Sequence, residues 1–549
     1  MTASIGFVAY ETPASPCGGI AAVLGRLPGY VAAASGGKAV VIAPFHHLLA
    51  GCQALLPKLR KLGEVGVPIG QEMELVDVMC AEAEGTSYYL KPRNPQFFAG
   101  QRHPYDLPGE DLLRDSLFFG AAVARSLRML GSGPWVLALQ DWETATVALA
   151  LAGTKHEHRL FLTLHNSYDC PTTDLDSLRY SMNAAACPGE SVLQRCLPLV
   201  EQKIFTVSDQ FALDFTEDLL QCQVMTPHLQ PLLAGRLVGV NNGPFIDCAI
   251  PPEVQTAATA GNLAPLGDWK KARRTESVQA LSSLTSAADR PVWGNVSAFL
   301  KNDAPWLVMA GRDDSRQKGY DVAAAAIDRF LTQGGNAGFL FFPIPGDEGF
   351  PGLTFLKQLA EKHPQSVLIL PFRFREGFFP VLQAAAFGIM PSLYEPFGMA
   401  NEFYLNGTSA IGRATGGIIQ QIAPWRGGAS FSSAVEHRAN RWHSTSTHPT
   451  GILYREPDDL STAAADWQAL NTAAYDPTGG SPNRVTERLA YPLFNHMISE
   501  LTLALSDSLR LYRDHPPLYL RMISEGVSYI QRTFSWQRTA QQYLRHMRP

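Results

Sequence analysis

The chain carries no cysteine after Cys248, and its eight cysteines include no CxxC pair. A zinc ribbon and a thioredoxin-like redox motif are thereby excluded, and the thiols are expected to pack reduced, as small hydrophobes. Long apolar runs are missing too, and none reaches the ~20 residues of a membrane span. The N-terminus, MTASIGFVAYE, lacks the basic start of a secretory signal and reads as a first strand, so a cytoplasmic location is expected. In that compartment the triplets Asn295-Val-Ser and Asn406-Gly-Thr would stay unglycosylated. Charge is sparse, at 17% of residues and a net −5, which argues against indiscriminate nucleic-acid binding. No internal repeat and no cluster of metal-ligating residues is evident, so neither a metal nor another cofactor is expected. No lysine occurs before Lys38.

What is present is a hydrophobic content of 46% over 549 residues, enough for several cored domains at about 100–200 residues each. Short apolar runs at Ile5–Tyr10, Ala39–Ala43, Val136–Leu139, Leu160–Thr163, Ile204–Val207 and Leu237–Val240 alternate with helical stretches such as Gly19–Ala34, Leu112–Leu130 and Trp142–Leu151. A second series runs through Trp306–Ala310, Gly338–Phe342, Val367–Leu370 and Ile389–Pro391. Such alternation predicts α/β architecture, with parallel sheets covered by helices on both faces. Ligands of these sheets bind at the carboxyl ends of strands, so the loops there carry the chemistry.

Four of those loops stand out. Glu395 and a Pro-Phe-Gly turn follow one strand, and Thr415-Gly416-Gly417 follows the next. A carboxylate beside two helix starts suits a ligand with hydroxyls and phosphate. Arg312 ends a strand and Lys318 opens a helix, which places two cations where a departing diphosphate needs neutralising. Gly18-Gly19 opens the first helix, a plausible phosphate contact that many tight turns imitate. The aromatic stretch Tyr88 to Asp106, with Tyr105, suits stacking on sugar faces, though most such clusters are core.

Glu395-Pro-Phe-Gly followed by Arg413-Ala-Thr-Gly-Gly resembles the donor-site signature of the glycogen and starch synthases, retaining glycosyltransferases with the GT-B fold. Gln140-Asp141-Trp142, Thr163-Leu-His165-Asn166, Phe205-Thr-Val-Ser208, Asn242-Gly-Pro-Phe-Ile-Asp247 and the closing Phe534-Ser-Trp536 with Ala540 and Tyr543 resemble further family segments in the same order. The resemblance implies two doubly wound, Rossmann-like domains facing a central cleft. It implies an N-terminal acceptor-side domain over 1–248 and a linker with one helix over 249–304. A donor domain would follow over 305–525, and a C-terminal helix over 526–549 would cross back. The implied catalytic group is Glu395, His165, Arg312 and Lys318. Gly18, Gly19, Asn242, Phe397, Gly398, Thr415, Gly416 and Gly417 would bind the donor; Asp141 and Tyr105 would bind the acceptor.

The departures are specific. Pro16 stands where the family has the lysine that faces the donor phosphates, and Ala22 replaces its aspartate. Arg312 and Lys318 are one residue further apart than usual, with Arg316 a substitute. Glu402 comes one residue too early to match the second acid of related transferases and reads as a helix-face residue. Phe372 or Phe374 would provide the platform for the base. Lys270, in the basic run Trp269-Lys-Lys271, reads as part of a solvated helix face. The stretch from Pro424 to Pro449 reads as a surface insertion. The expected reaction moves glucose from a nucleotide-diphosphate glucose, ADP-glucose above others, to the nonreducing end of an α-1,4-glucan. Its partners would be a nucleotide sugar and a glucan or oligosaccharide, without nucleic acid or a membrane span. Another nucleotide sugar or acceptor, or a non-catalytic glucan-binding homologue, are the alternatives.

Overall fold

The apolar runs of the sequence become strands in the computed structural model, which describes residues 4–82, 86–152, 154–172, 189–346, 349–473 and 484–547. The chain forms two units: Met1–Phe245 together with Phe534–Pro549, and Ile246–Thr533. No described helix is long and apolar enough to cross a membrane.

The first unit is built on nine strands: β1 (Ser4–Val8), β2 (Ala39–Pro44), β3 (Arg60–Ile69), β4 (Glu72–Ala81), β5 (Ser87–Pro92), β6 (Trp135–Gln140), β7 (Arg159–Leu164), β8 (Ile204–Thr206) and β9 (Leu237–Gly239). Their order is β3-β4-β5-β2-β1-β6-β7-β8-β9. Phe7, Val40, Leu137 and Ala138 are wholly buried, as central parallel strands require. β1 lies parallel to both β2 and β6, so the winding reverses there and the loops after β1 and β6 diverge around a crevice. The antiparallel pair β3–β4 at the edge was not legible as strands. Only Val67 on β3 and Val76, Val78 and Cys80 on β4 are buried, and the pair carries Lys61, Glu64 and Asp77 as surface ion pairs. The helix expected over Gly19–Ala34 is two helices, Gly19–Leu24 and Leu27–Ser35. Pro28 falls in the first turn of the second, where its missing N–H leaves no bond unmade. The helix Trp536–Met547 joins this core through Trp536, Ala540 and Tyr543, and Tyr543 shares a 3.0 Å hydrogen bond with Thr163.

The second unit has six parallel strands: β10 (Trp306–Arg312), β11 (Gly338–Ile344), β12 (Val367–Ile369), β13 (Phe387–Met390), β14 (Ser409–Arg413) and β15 (Gly451–Tyr454). Their order is β12-β11-β10-β13-β14-β15, so the winding reverses between β10 and β13. Residues 249–304, expected to hold one helix, hold three: Pro252–Thr259, Ala264–Ser282 and Val296–Lys301. The Pro424–Pro449 stretch is not wholly on the surface. It carries the helix Ser433–Ala439, and the buried His443 bonds through Nε2 to the carbonyl of Ile419.

Lys270 is not solvated. Its ammonium is buried and donates to the carbonyls of Gln383, Ala385 and Gly407 at 2.9, 2.7 and 2.6 Å. Local charge pattern could not reveal this, because all three acceptors are supplied more than a hundred residues later. Lys270→Met removes the donors and leaves three carbonyls facing apolar surface. The expected loss of stability is about 3–5 kcal/mol, measured as a lowered urea midpoint. The neighbouring Lys271→Met, on an exposed side chain, is expected to change it by less than about 0.5 kcal/mol.

Candidate functional site

Because β10 and β13 are adjacent and parallel, the loops that follow them leave the sheet side by side. The first carries Arg312 and Lys318, the second Glu395. The N–H of Leu393 donates to the carbonyl of Gln317 at 2.7 Å, which locks one loop to the other. Gly319 has φ +67°, and a Cβ there would lie 2.2 Å from the carbonyl oxygen of Pro391, so only glycine permits this approach. The extra residue between Arg312 and Lys318 is absorbed in a turn in which the carbonyl of Asp314 accepts from both Gln317 and Lys318. Lys318 Nζ reaches Glu395 Oε2 at 2.7 Å, and Ser392 Oγ donates to the same oxygen at 2.9 Å. Arg312 Nη2 donates to Asp314 at 3.4 Å, with the arginine more than a third exposed. Arg316 lies half-buried in the same loop.

The glycine pair after β14 packs against the Glu395 turn. Gly416 has φ +47°, and a Cβ there would overlap the carbonyl of Glu395. Gly417 donates its N–H to that same carbonyl at 3.0 Å, and a Cβ there would lie 2.1 Å from the carbonyl oxygen of Phe397. Close backbone packing against the Glu395 turn therefore requires both glycines, and the N–H expected from Gly417 for a ligand is engaged within the protein. Phe397 is buried, and Gly398, with φ +90°, makes the turn that follows it. Thr415 is also buried, and its Oγ1 has no hydrogen-bond partner among the described residues. Glu402 lies on the short helix Ala400–Leu405, where its side chain is largely buried.

In the first unit, the glycine loop is occupied by its own carboxylate. Glu11, 1% exposed, accepts from the N–H groups of Cys17 and Gly18 at 2.6 and 2.7 Å through Oε2. Its Oε1 accepts from Ile20 and Ala21 at 3.1 and 3.3 Å. A helix start binds anions with its exposed donors, and here an internal anion takes four of them. The contact expected from Gly18 is thus a contact to Glu11. Gly19 is not among the four; it is exposed, and a Cβ there would meet nothing within 4 Å. Burial raises the Glu11 pKa, and the four N–H bonds oppose that rise.

Asp141 stands at the end of β6 with φ +62°, a conformation costing on the order of 1–3 kcal/mol for a residue that is not glycine. The turn after β7 holds it there: His165 N–H and Asn166 Nδ2 donate to its two oxygens at 2.6 and 2.8 Å. Gln140 donates its amide to the carbonyl of Ala138 at 2.9 Å, so its Oε1 faces His165 Nε2 at 2.7 Å. The ring must then donate from Nε2, leaving Nδ1 as a bare acceptor. Burial pushes its pKa down to about 3, so the imidazole is neutral at working pH. Tyr105 stacks on Tyr10 with centroids 5.7 Å apart. Asn242 is buried, its N–H bonded to the carbonyl of Val207.

Burial, with Glu11 nearby, pushes the Asp141 pKa up to about 8. A folded-state value above the unfolded one, about 3.9, means that the folded chain holds a proton the unfolded chain has released. Stability from this group is full below about pH 4 and is lost as the pH rises through about 8. Glu11 and Glu143, also raised, act in the same direction. Asp141→Asn is expected to flatten the decline between pH 5 and 8 by on the order of a few kcal/mol, read from urea midpoints across that range. An unchanged slope would assign the titration to other groups.

Three side chains at the site carried no expectation. Arg413, wholly buried, pairs with Glu456 and donates to the carbonyl of Leu393 at 2.6 Å, fixing the loop before Glu395. Gln421 donates to the carbonyl of Phe397 at 2.9 Å and accepts from the N–H of Ala400 at 3.0 Å. Glu11 was the third, and its place immediately before the glycine loop was the one available signal. Of the two candidate base platforms, Phe374 is core, parallel to Phe342 at 6.4 Å. Phe372 is half-buried beneath the guanidinium of Arg290 at 4.8 Å.

Residues 4–225 match the model of the starch synthase catalytic domain family. The chain is 24% identical over 448 residues to the glycogen synthase of Thermosipho africanus (strain TCF52B), covering 76% of this chain and 84% of that protein. Its structure is similar to the catalytic domain of starch synthase IV from Arabidopsis thaliana bound to ADP and acarbose, with a TM-score of 0.62 at 18% identity, covering 95% of this chain and all of that one. Sucrose-phosphate synthase from Thermosynechococcus elongatus is similar with a TM-score of 0.51 at 15% identity, over 99% and 98% of the two chains. At these identities the structural likeness is one of fold.

Proposed function

Because this chain is a divergent member of the glycogen and starch synthase family, a glycosyltransferase of the GT-B fold, we propose that it moves glucose from a nucleotide-diphosphate glucose to the nonreducing end of an α-1,4-glucan, with retention at the anomeric carbon. One observation carries the reading. Lys318 and Glu395 meet at 2.7 Å on neighbouring strand ends, so a cation for the leaving diphosphate and an anion for the sugar stand together. Arg312 adds a second, more exposed cation from the same loop.

The chemistry follows from that pair. As the bond from C1 to the phosphate oxygen breaks, negative charge grows on the diphosphate and positive charge on the sugar. Lys318 exchanges its bond to Glu395 for one to phosphate, and Arg312 joins it. Glu395, still held by Ser392, then turns its carboxylate to the sugar hydroxyls and the developing cation. The Thr415 hydroxyl, buried and without a described partner, supplies a further donor; Phe397 and Gly398 shape the turn around it. In the first unit His165 offers Nδ1 to a sugar hydroxyl and Gly19 its N–H to an oxyanion. Asn242 supports the donor side, and Asp141 and Tyr105 serve the acceptor, Asp141 by holding the His165–Asn166 turn.

ADP-glucose is the favoured donor, supported by the ADP held in the starch synthase IV structure. The occupied glycine loop and Pro16 make another nucleotide sugar the alternative donor, because the first unit then offers fewer phosphate contacts. Radiolabelled ADP-, UDP- and GDP-glucose, each incubated with glycogen and with short maltooligosaccharides, separate these. Transfer from ADP-glucose to glucan is the expected result. Transfer from another donor alone would replace the nucleotide assignment, and no transfer from any would remove the proposed reaction.

A further inference from the structure

The loop that carries Arg312 and Lys318 is held from behind by two buried arginines. Both come from one short helix, Arg484–Arg488. Arg484 donates through both terminal nitrogens to the carboxylate of Asp313, at 3.1 and 2.9 Å. Its guanidinium also lies over the ring of Phe355, 4.4 Å from the centroid. Arg488 donates to the carbonyl of Ser315 at 2.9 Å and to the carboxylate of Asp321, and it anchors itself on the carbonyl of Leu470 at 3.1 Å. Arg484, Arg488, Asp313 and Asp321 are each less than a tenth exposed.

The spacing of these contacts is informative. Asp313 directly follows Arg312, Ser315 lies midway to Lys318, and Asp321 lies just past it. The arginines therefore grip the loop at two points between its two proposed phosphate ligands and at one just past the second. Neither arginine has charge to spare for a ligand, since each is matched to a carboxylate. A planar guanidinium binding two acceptors at once fixes direction as well as distance, which lysine cannot do. Two buried ion pairs are also a poor route to stability alone, because desolvation offsets most of their attraction.

We propose that Arg484 and Arg488 are positioning residues for diphosphate recognition, fixing the loop so that Arg312 and Lys318 meet the phosphates together. The inference rests on the diphosphate role given to those two cations. Through the loop's bond from Leu393 to Gln317, the same grip also sets Lys318 against Glu395.

The test uses Arg484→Lys, Arg488→Lys and Asp313→Asn in the full chain, with ADP, UDP and GDP titrated by calorimetry and steady-state kinetics with the transferred donor. The expected result is a tenfold or greater weakening of nucleoside diphosphate binding, a raised donor KM and an unmoved acceptor KM. A role confined to holding the fold together would lower the melting temperature and the active fraction, and so scale kcat alone. That pattern, with diphosphate affinity unchanged, overturns the proposal. If the lysine variants fail to fold, Asp313→Asn decides, and unchanged affinity there overturns it equally. Arg312→Ala and Lys318→Ala are titrated alongside. If these leave diphosphate affinity intact, the reading of the cations fails; if they weaken it while Arg484→Lys and Arg488→Lys do not, the positioning inference alone fails.

Discussion

Glu395→Gln is expected to lower turnover by about 10²- to 10³-fold in a protein that stays folded. Glutamine keeps the size of the side chain and can still accept from Ser392 Oγ, now 2.9 Å away. What it loses is the charge. In a site closed to water that charge gains leverage as the sugar becomes cationic, whereas hydrogen bonds to ground-state hydroxyls hold substrate and transition state alike. The donor dissociation constant should therefore change only modestly, and Lys318, freed from its 2.7 Å partner, remains for the diphosphate. Glu402→Gln, on the adjoining helix, should do much less. Equal losses at both positions would show that the wrong acid has been assigned, and near-normal turnover in Glu395→Gln would remove its catalytic role.

The second large effect is expected at the cations. Lys318→Ala should cut turnover by about 10²- to 10³-fold, since it removes the donor aimed at growing phosphate charge. Arg312→Ala, more exposed and so more screened, should cost about ten- to a hundredfold. Binding of the acceptor glucan should be unmoved in both, by affinity electrophoresis in glycogen. Because Lys318 and Glu395 share one ion pair, the double variant should be non-additive: losing the second partner costs less once the first is gone. Full additivity would mean that the pair does not act as a unit. Unchanged turnover in both single variants would sink the diphosphate site.

Where the sequence could be read, there was a physical reason. A strand buried on both faces must be apolar throughout, and β1, β6, β10 and β11 advertise themselves that way. Their alternation with helices then implies a doubly wound α/β protein. The same logic hid β3 and β4, which are largely half-exposed and antiparallel at a sheet edge, so Lys61, Glu64 and other polar residues interrupt their apolar ones. Lys270 failed for a related reason: a charge run is solvated by default, and nothing nearby shows that three distant carbonyls surround this one.

The site divides along the same line. Residue type and place at a strand end pointed to Glu395, Arg312 and Lys318 as candidates, because few side chains can neutralise a diphosphate or face a cation, and the resemblance added His165. Which of their neighbours they touch depended on strand order. Only the adjacency of β10 and β13 brings Lys318 to Glu395 across 77 residues of sequence. The glycines show the limit most clearly. In sequence Gly18 and Gly19 look alike, as do Gly416 and Gly417, and all four could face a ligand. Tertiary structure gives Gly18 to Glu11 and packs Gly416 and Gly417 on the backbone of residues 395–397, leaving Gly19 open. Pattern along a chain records which atoms avoid water, and so by itself determined the class of fold and the kinds of side chain at its strand ends. Which backbone donor meets which acceptor is decided by contacts between segments far apart in sequence, and only the folded chain contains those.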